Sequence, residues 1–143
     1  MRPLTIESEQ LSPKILLDKG SGVLQISGVS CPEDAVEFYD PVFDWFDEYI
    51  KDPSDYTILD FKMAYFNSVS AKVFLILMSK LEDLALSGKK AKVRWFYEPD
   101  EDDMKEAGED FENIVDVDFE LISTGREPVD DDAFFNDLMD DLV

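Results

Sequence analysis

Residues 56–97 read YTILDFKMAYFNSVSAKVFLILMSKLEDLALSGKKAKVRWFY, and this stretch decides the fold. Tyr56-Thr57-Ile58-Leu59-Asp60-Phe61 is β-branched and apolar enough for a central strand. Met63 to Asn67 form a junction. From Ser68 to Leu86, Val69, Val73, Phe74, Ile76, Leu77, Leu81 and Leu84 recur at helical spacing, and Ser87-Gly88 closes the helix. Ala91-Lys92-Val93-Arg94-Trp95-Phe96-Tyr97 is again a strand. Strand, helix and strand at these lengths make a crossover between parallel strands, with the helix packed on the sheet.

Outward from this unit, Lys14–Asp18 and Val23–Ser27 predict a hairpin around Gly20-Ser21-Gly22. Ser30-Cys31-Pro32-Glu33 predicts a helix start with Ser30 as N-cap and Glu33 in capping-box position. That helix runs to about Lys51, with Val36, Tyr39, Phe43, Phe46 and Ile50 on its apolar face, and Asp52-Pro53 stops it. Pro99 and Asp100-Glu101-Asp102-Asp103 open a third helix that ends near Phe111, with acids at its positive end. Residues 117–122 suit an edge strand. The expected fold is an α/β mixed sheet of four to five strands with about three helices, in the order β-β-α-β-α-β-α-β. The domain is expected to span residues 1–122. Residues 123–143 are an acidic extension in which Phe134, Phe135, Leu138, Met139 and Leu142 would line one face of a short helix. That helix suits docking on its own domain and binding a partner equally.

The chain has 143 residues, which suits one domain with a core of its own. Thirty-four acids against 13 bases give a net charge of −21. Such a surface repels phosphate backbones and anionic membranes, so neither nucleic acid nor membrane is an expected partner, and a basic protein surface is. Cys31 is the single cysteine, which excludes an internal disulfide and fits a reducing, cytoplasmic setting. No run approaches the ~18 apolar residues of a membrane span. Histidine is absent, which removes the commonest general base and any Ser–His or Cys–His nucleophile pair. There is no phosphate-cradling glycine loop and no zinc cluster. The Asp100–Asp103 run lacks the ligand spacing of a calcium loop, so a solvated helix start is its plainer account. These absences argue against an enzyme and against a cofactor or metal.

One segment asks for a functional account: Tyr65-Phe66-Asn67-Ser68-Val69-Ser70-Ala71-Lys72. A hydroxyl at a helix start is well placed to carry a phosphate, because free backbone N–H groups and the positive helix end meet it there. Lys72, one turn beyond Ser68, adds a charge-assisted contact. On the residues alone the plainer reading is that Asn67 or Ser68 caps the helix and Ser70 satisfies a backbone donor. Tyr65 and Phe66 beside the hydroxyl read either as a partner surface or as core beneath the junction.

This segment, together with Arg94-Trp95-Phe96-Tyr97-Glu98, Glu106-Ala107-Gly108-Glu109-Asp110-Phe111, the Ser30-Cys31-Pro32-Glu33 helix start and Ser12-Pro13, resembles the SiaC family of bacterial regulatory phosphoproteins from about Leu4 to Ile122. The resemblance implies a fold similar to the STAS-type anti-sigma-factor antagonists. It implies Ser68 as the phosphorylated residue; around it the residues themselves suggest Asn67, Ser70 and Lys72 as support for the phosphate and Tyr65, Phe66 and Val69 as the partner surface. It also implies a dedicated kinase, a PP2C-type phosphatase, and a regulated effector such as a diguanylate cyclase, with cyclic-di-GMP and biofilm control as output. The branch with the diguanylate cyclase carries Thr at the acceptor position. Two other readings stay open: a phosphorylation-independent acidic adaptor holding a basic partner, and a small metal-dependent hydrolase using the acidic helix start.

Overall fold

The computed structural model describes residues 1–124. Six strands and three helices follow in the order β1 (Leu4–Ile6), β2 (Lys14–Asp18), β3 (Val23–Ser30), α1 (Ala35–Tyr49), β4 (Tyr56–Phe66), α2 (Ser68–Leu86), β5 (Lys90–Tyr97), α3 (Asp102–Ile114) and β6 (Asp118–Ser123). The strands form one sheet in sequence order, antiparallel from β1 to β3 and parallel from β3 to β6. The hairpin, the crossovers and the three helices stand as expected. The sheet has six strands rather than four to five. The missed strand is β1, three residues too short to show a period, held by its pairing with Leu17, Leu16 and Ile15 of β2.

All three crossovers lie in one direction, so the helices share one face of the sheet. Strand alternation fills that face. Register aligns Leu17, Leu24, Leu59, Val93 and Phe119 in one row, and Ile15, Ile26, Phe61, Trp95 and Leu121 in the next. These side chains pack against Tyr39, Val42, Phe46 and Tyr49 of α1, Phe74, Leu77 and Leu81 of α2, and Met104 and Phe111 of α3 in one core. The opposite face has no helix on it. It carries polar and half-buried side chains, including the pair of Arg94 with Asp60 at 2.6 Å from each of two guanidinium nitrogens. Asp60 is only 2% exposed, and Arg94 satisfies both its oxygens.

The start of α1 departs from expectation. Asp34, not Ser30, is the N-cap and accepts from the Glu37 N–H. Ser30 instead ends β3, with its side chain in the core. The helix starts four residues later than expected, and its buried face is Tyr39, Val42, Trp45, Phe46 and Tyr49, while Val36 in its first turn is 72% exposed. Asp34 wins because a carboxylate placed three residues before an N–H caps as well as a hydroxyl. Helix α3 packs closely on β5. A Cβ at Gly108 would lie 2.5 Å from Trp95 Cδ1 and 2.6 Å from Leu121 Cδ2, so only glycine fits there.

Candidate functional site: the β4–α2 junction

Strand β4 does not stop at Phe61 but continues to Phe66, so much of the expected junction is strand. Beyond Phe61 its register with β5 ends, while its register with β3 continues to Ser30↔Phe66. The end of β4 therefore runs past β5 while staying paired with β3. Helix α2 begins at once, with Asn67 as N-cap: its Oδ1 accepts from the Ser70 N–H at 2.9 Å. Its Nδ2 donates to Cys31 Sγ at 3.4 Å and its backbone N–H to the Ser30 carbonyl at 3.1 Å. Asn67 thus ties the helix start to the end of β3.

Ser70 is fully buried and belongs to a chain of hydroxyls. Ser70 Oγ donates to the Ser30 carbonyl at 2.9 Å, Ser30 Oγ meets Ser70 Oγ at 2.7 Å, and Tyr39 Oη meets Ser30 Oγ at 2.6 Å. Each hydroxyl has one proton. With Ser70 donating to the carbonyl, Ser30 must donate to Ser70 and Tyr39 to Ser30. Burial pushes the Tyr39 phenol up to about 12.

This arrangement sorts the residues singled out in the sequence. Ser68 is exposed, at the first position of a 19-residue helix, where no helical carbonyl reaches its N–H. Tyr65 is 56% exposed and Val69 is 48% exposed, so both flank Ser68 on the surface. Lys72 is exposed one turn on, with no ion pair among the described residues. Phe66 and Ser70 are engaged in contacts within the domain. Phe66 turns inward, its ring 5.3 Å from Phe74, 5.7 Å from Trp95 and 6.2 Å from Phe111, because the register slips at Ala64, where Gly28 pairs with Met63 but Val29 with Tyr65, and this bulge gives the core side to Phe66 instead of Tyr65. Ser70 spends its hydroxyl on Ser30 and its N–H on Asn67, so it braces the helix start rather than reaching toward a phosphate on Ser68.

Sequence reasoning passed over the residues beneath the site: Ser30, Cys31 and Tyr39. They lie about 30 to 40 positions away, and the local pattern marks Ser30 and Cys31 only as a helix start and Tyr39 only as an apolar helix face. It also passed over a signal that was legible. From Phe61 to Leu81 there is no Asp or Glu, although the chain has 34 acids. The segment that carries Ser68 is thus an apolar and cationic stretch of an acidic chain, faced by the acids at the start of α3. Beside it lies a groove of about 530 Å³ between the end of β4, at Ala64, Tyr65 and Phe66, and the start of α3, at residues 100–104 and Ala107. Asp102 and Asp103 sit in the first turn of α3, exposed to solvent. Among the described residues no group of three or more acids or cysteines is arranged to hold a metal ion.

Fold and site together define a class: a two-layer α/β domain that displays one serine hydroxyl at a helix start, held from below by a buried polar brace. Residues 6–124 match the family described as SiaC family regulatory phosphoprotein, and the chain belongs to that family. An uncharacterised protein of Pseudomonas aeruginosa (strain UCBPP-PA14) is 30% identical over 111 residues, which cover 78% of this chain and 88% of the relative. The crystal structure of apo-SiaC from Pseudomonas aeruginosa superposes with a TM-score of 0.79 at 28% identity, over 86% of this chain and 100% of that one. A chain of the crystal structure of diguanylate cyclase SiaD in complex with its activator SiaC, also from Pseudomonas aeruginosa, gives 0.80 at 28% identity, over 84% and 98%.

Proposed function

We propose that this chain is a phosphorylation-controlled regulator, without catalysis of its own, that binds and activates a diguanylate cyclase through the β4–α2 junction. A dedicated kinase modifies Ser68 and a PP2C-type phosphatase restores it. The observation that carries the reading is the exposed Ser68 at a braced helix start, flanked by exposed Tyr65 and Val69 in a stretch free of acids. The named complex of SiaD with SiaC, to which the chain is similar, supports the partner class. No helix among the described residues is long and apolar enough to cross a membrane. The free thiol of Cys31 fits action in the cytoplasm.

The physics favours a local switch. A phosphate adds about −1.5 to −2 charges, little against −21 overall. On a segment with no acid of its own the same charge changes what a partner meets at that spot. Anchoring the phosphate to the helix start contributes roughly 0.3–1 kcal/mol. Burying it unmatched in an interface costs several kcal/mol, so the interface loss dominates.

The test is calorimetric titration of the cognate diguanylate cyclase with the unmodified chain, Ser68→Ala and Ser68→Asp. Ser68→Ala is expected to bind like the unmodified chain and Ser68→Asp about tenfold or more weakly, a difference of ~1.4 kcal/mol. Equal affinities for the two variants would remove the switch. Site mapping on protein from its own host is expected to find the phosphate on Ser68.

A further inference from the structure

The uncovered face of the sheet has a row that differs from the rest of the molecule. Towards the C-terminal ends of the parallel strands it holds Lys14, Ser27, Lys62, Phe96 and Ile122 and no acid. Lys62 Nζ lies 4.8 Å from the centre of the Phe96 ring, and Lys14 and Lys62 have no carboxylate partner among the described residues. Elsewhere on this face the cations are matched, Arg94 by Asp60 and Lys92 by Glu120 at 2.7 Å. Where β4 parts from β5, a hollow of about 210 Å³ opens beside Lys62, Ala64 and Phe96, with Glu98 and Glu101 on its far side from the row. Thr124 lines that hollow, its N–H donating to the Tyr97 carbonyl at 2.8 Å.

Thr124 is also where the described chain ends. Residues 125–143 follow, with seven acids, one Arg, and Phe134, Phe135, Leu138, Met139 and Leu142. We propose that this C-terminal segment is the occupant of the uncovered row, its acids paired with Lys62 and Lys14 and its apolar side chains against Phe96 and Ile122. Three facts select this occupant. The segment starts at the edge of the row. Its charge is opposite to that of the row, whereas most of the molecule repels it. Its reach is sufficient: Asp130 is six residues from Thr124, up to ~20 Å of chain. Lys62 is two strands from β6 and Lys14 four, ~10 and ~19 Å at ~4.8 Å per strand. Exposed lysine–carboxylate pairs by themselves contribute little. The aromatic and aliphatic contacts are what make the docking persist.

A zero-length carbodiimide cross-link, which joins a carboxylate to an amine in contact, tests this on the full chain at low concentration. Links from residues 130–141 are expected to concentrate on Lys62 and Lys14. In Phe134→Ser/Phe135→Ser their yield is expected to fall about fivefold, the change that one kcal/mol-scale contact makes in a two-state population. Links spread evenly over Lys51, Lys89, Lys90 and Lys105, or a yield unaffected by the double substitution, would overturn the proposal. A mixture of ¹⁵N-labelled and unlabelled chain separates the remaining case. Links of mixed isotope would assign the row to the segment of a second copy and overturn docking within one chain.

Discussion

The hydroxyls of Ser30 and Ser70, 40 positions apart in the chain, meet at 2.7 Å beneath the start of α2. With Tyr39 behind Ser30 and the Ser30 carbonyl ahead of Ser70, they form one directed chain of hydrogen bonds inside the core. The exposed Ser68 is held from below, so its presentation is set by groups that never reach the surface.

Ser70→Ala removes the middle of that chain and leaves the Ser30 hydroxyl without its acceptor. A loss of about 1–3 kcal/mol in stability is expected, the cost of an unsatisfied buried polar group. Urea denaturation reads it. Faster amide exchange confined to residues 67–71 is expected alongside, since Asn67 still caps the helix but its anchor is loosened.

Asp60 is buried on the otherwise open face and depends on Arg94 for both oxygens. Hydrogen bonding to Asp60 holds the Arg94 guanidinium pKa above its ordinary value, against the opposing effect of desolvation. Arg94→Ala strands a buried carboxylate and is expected to cost about 2–3 kcal/mol, less than a fully buried pair because Arg94 is partly open to water. Asp60→Asn with Arg94→Gln, which keeps a hydrogen bond without charge, is expected to recover at least half of that loss in the same denaturation experiment.

Gly108→Ala is expected to destabilise by about 1–3 kcal/mol, although alanine favours helix. The added Cβ meets the Trp95 ring, which is fully buried among Phe61, Phe66, Phe74 and Phe111, and the tip of Leu121. A shift in near-ultraviolet circular dichroism, reporting Trp95, should accompany the drop in thermal midpoint. Unchanged stability would mean that α3 packs farther from β5 than described.

Tyr39 links stability to alkaline pH. Its phenol titrates at about 12 in the fold against an ordinary value near 10. The folded state holds the proton more tightly, so this contribution is complete below pH ~10 and is lost as pH rises towards ~12. The full amount is about 3 kcal/mol. Urea midpoints at pH 9 and pH 11.5 should differ by more in the parent chain than in Tyr39→Phe, whose ring cannot ionise.

Much of the architecture was legible locally. The strand at Tyr56–Phe61, the amphipathic run from Ser68 and the strand at 91–97 each carry their own period, and two crossovers leave little choice of topology. Strand β1 was not legible, because three residues have no period and exist as a strand only by pairing with β2. The start of α1 was not legible because Ser30 and Asp34 are both good caps. The choice between them depends on how far β3 runs beside β4, to Ser30↔Phe66.

The site divides in the same way. The sequence by itself determined that a hydroxyl stands at a helix start, with an aromatic before it and a lysine one turn after, on a body of charge −21. Helix periodicity and charge are local or additive properties, so one chain suffices to read them. Only the tertiary structure decided that Tyr65 and Val69 face solvent while Phe66 joins Phe74, Trp95 and Phe111. Only it made Ser70 a brace rather than a ligand, by bringing Ser30 and Tyr39 beneath it. Those outcomes rest on which strands become neighbours and in which register. Contacts 40 residues apart leave no period in the chain for a reader to find.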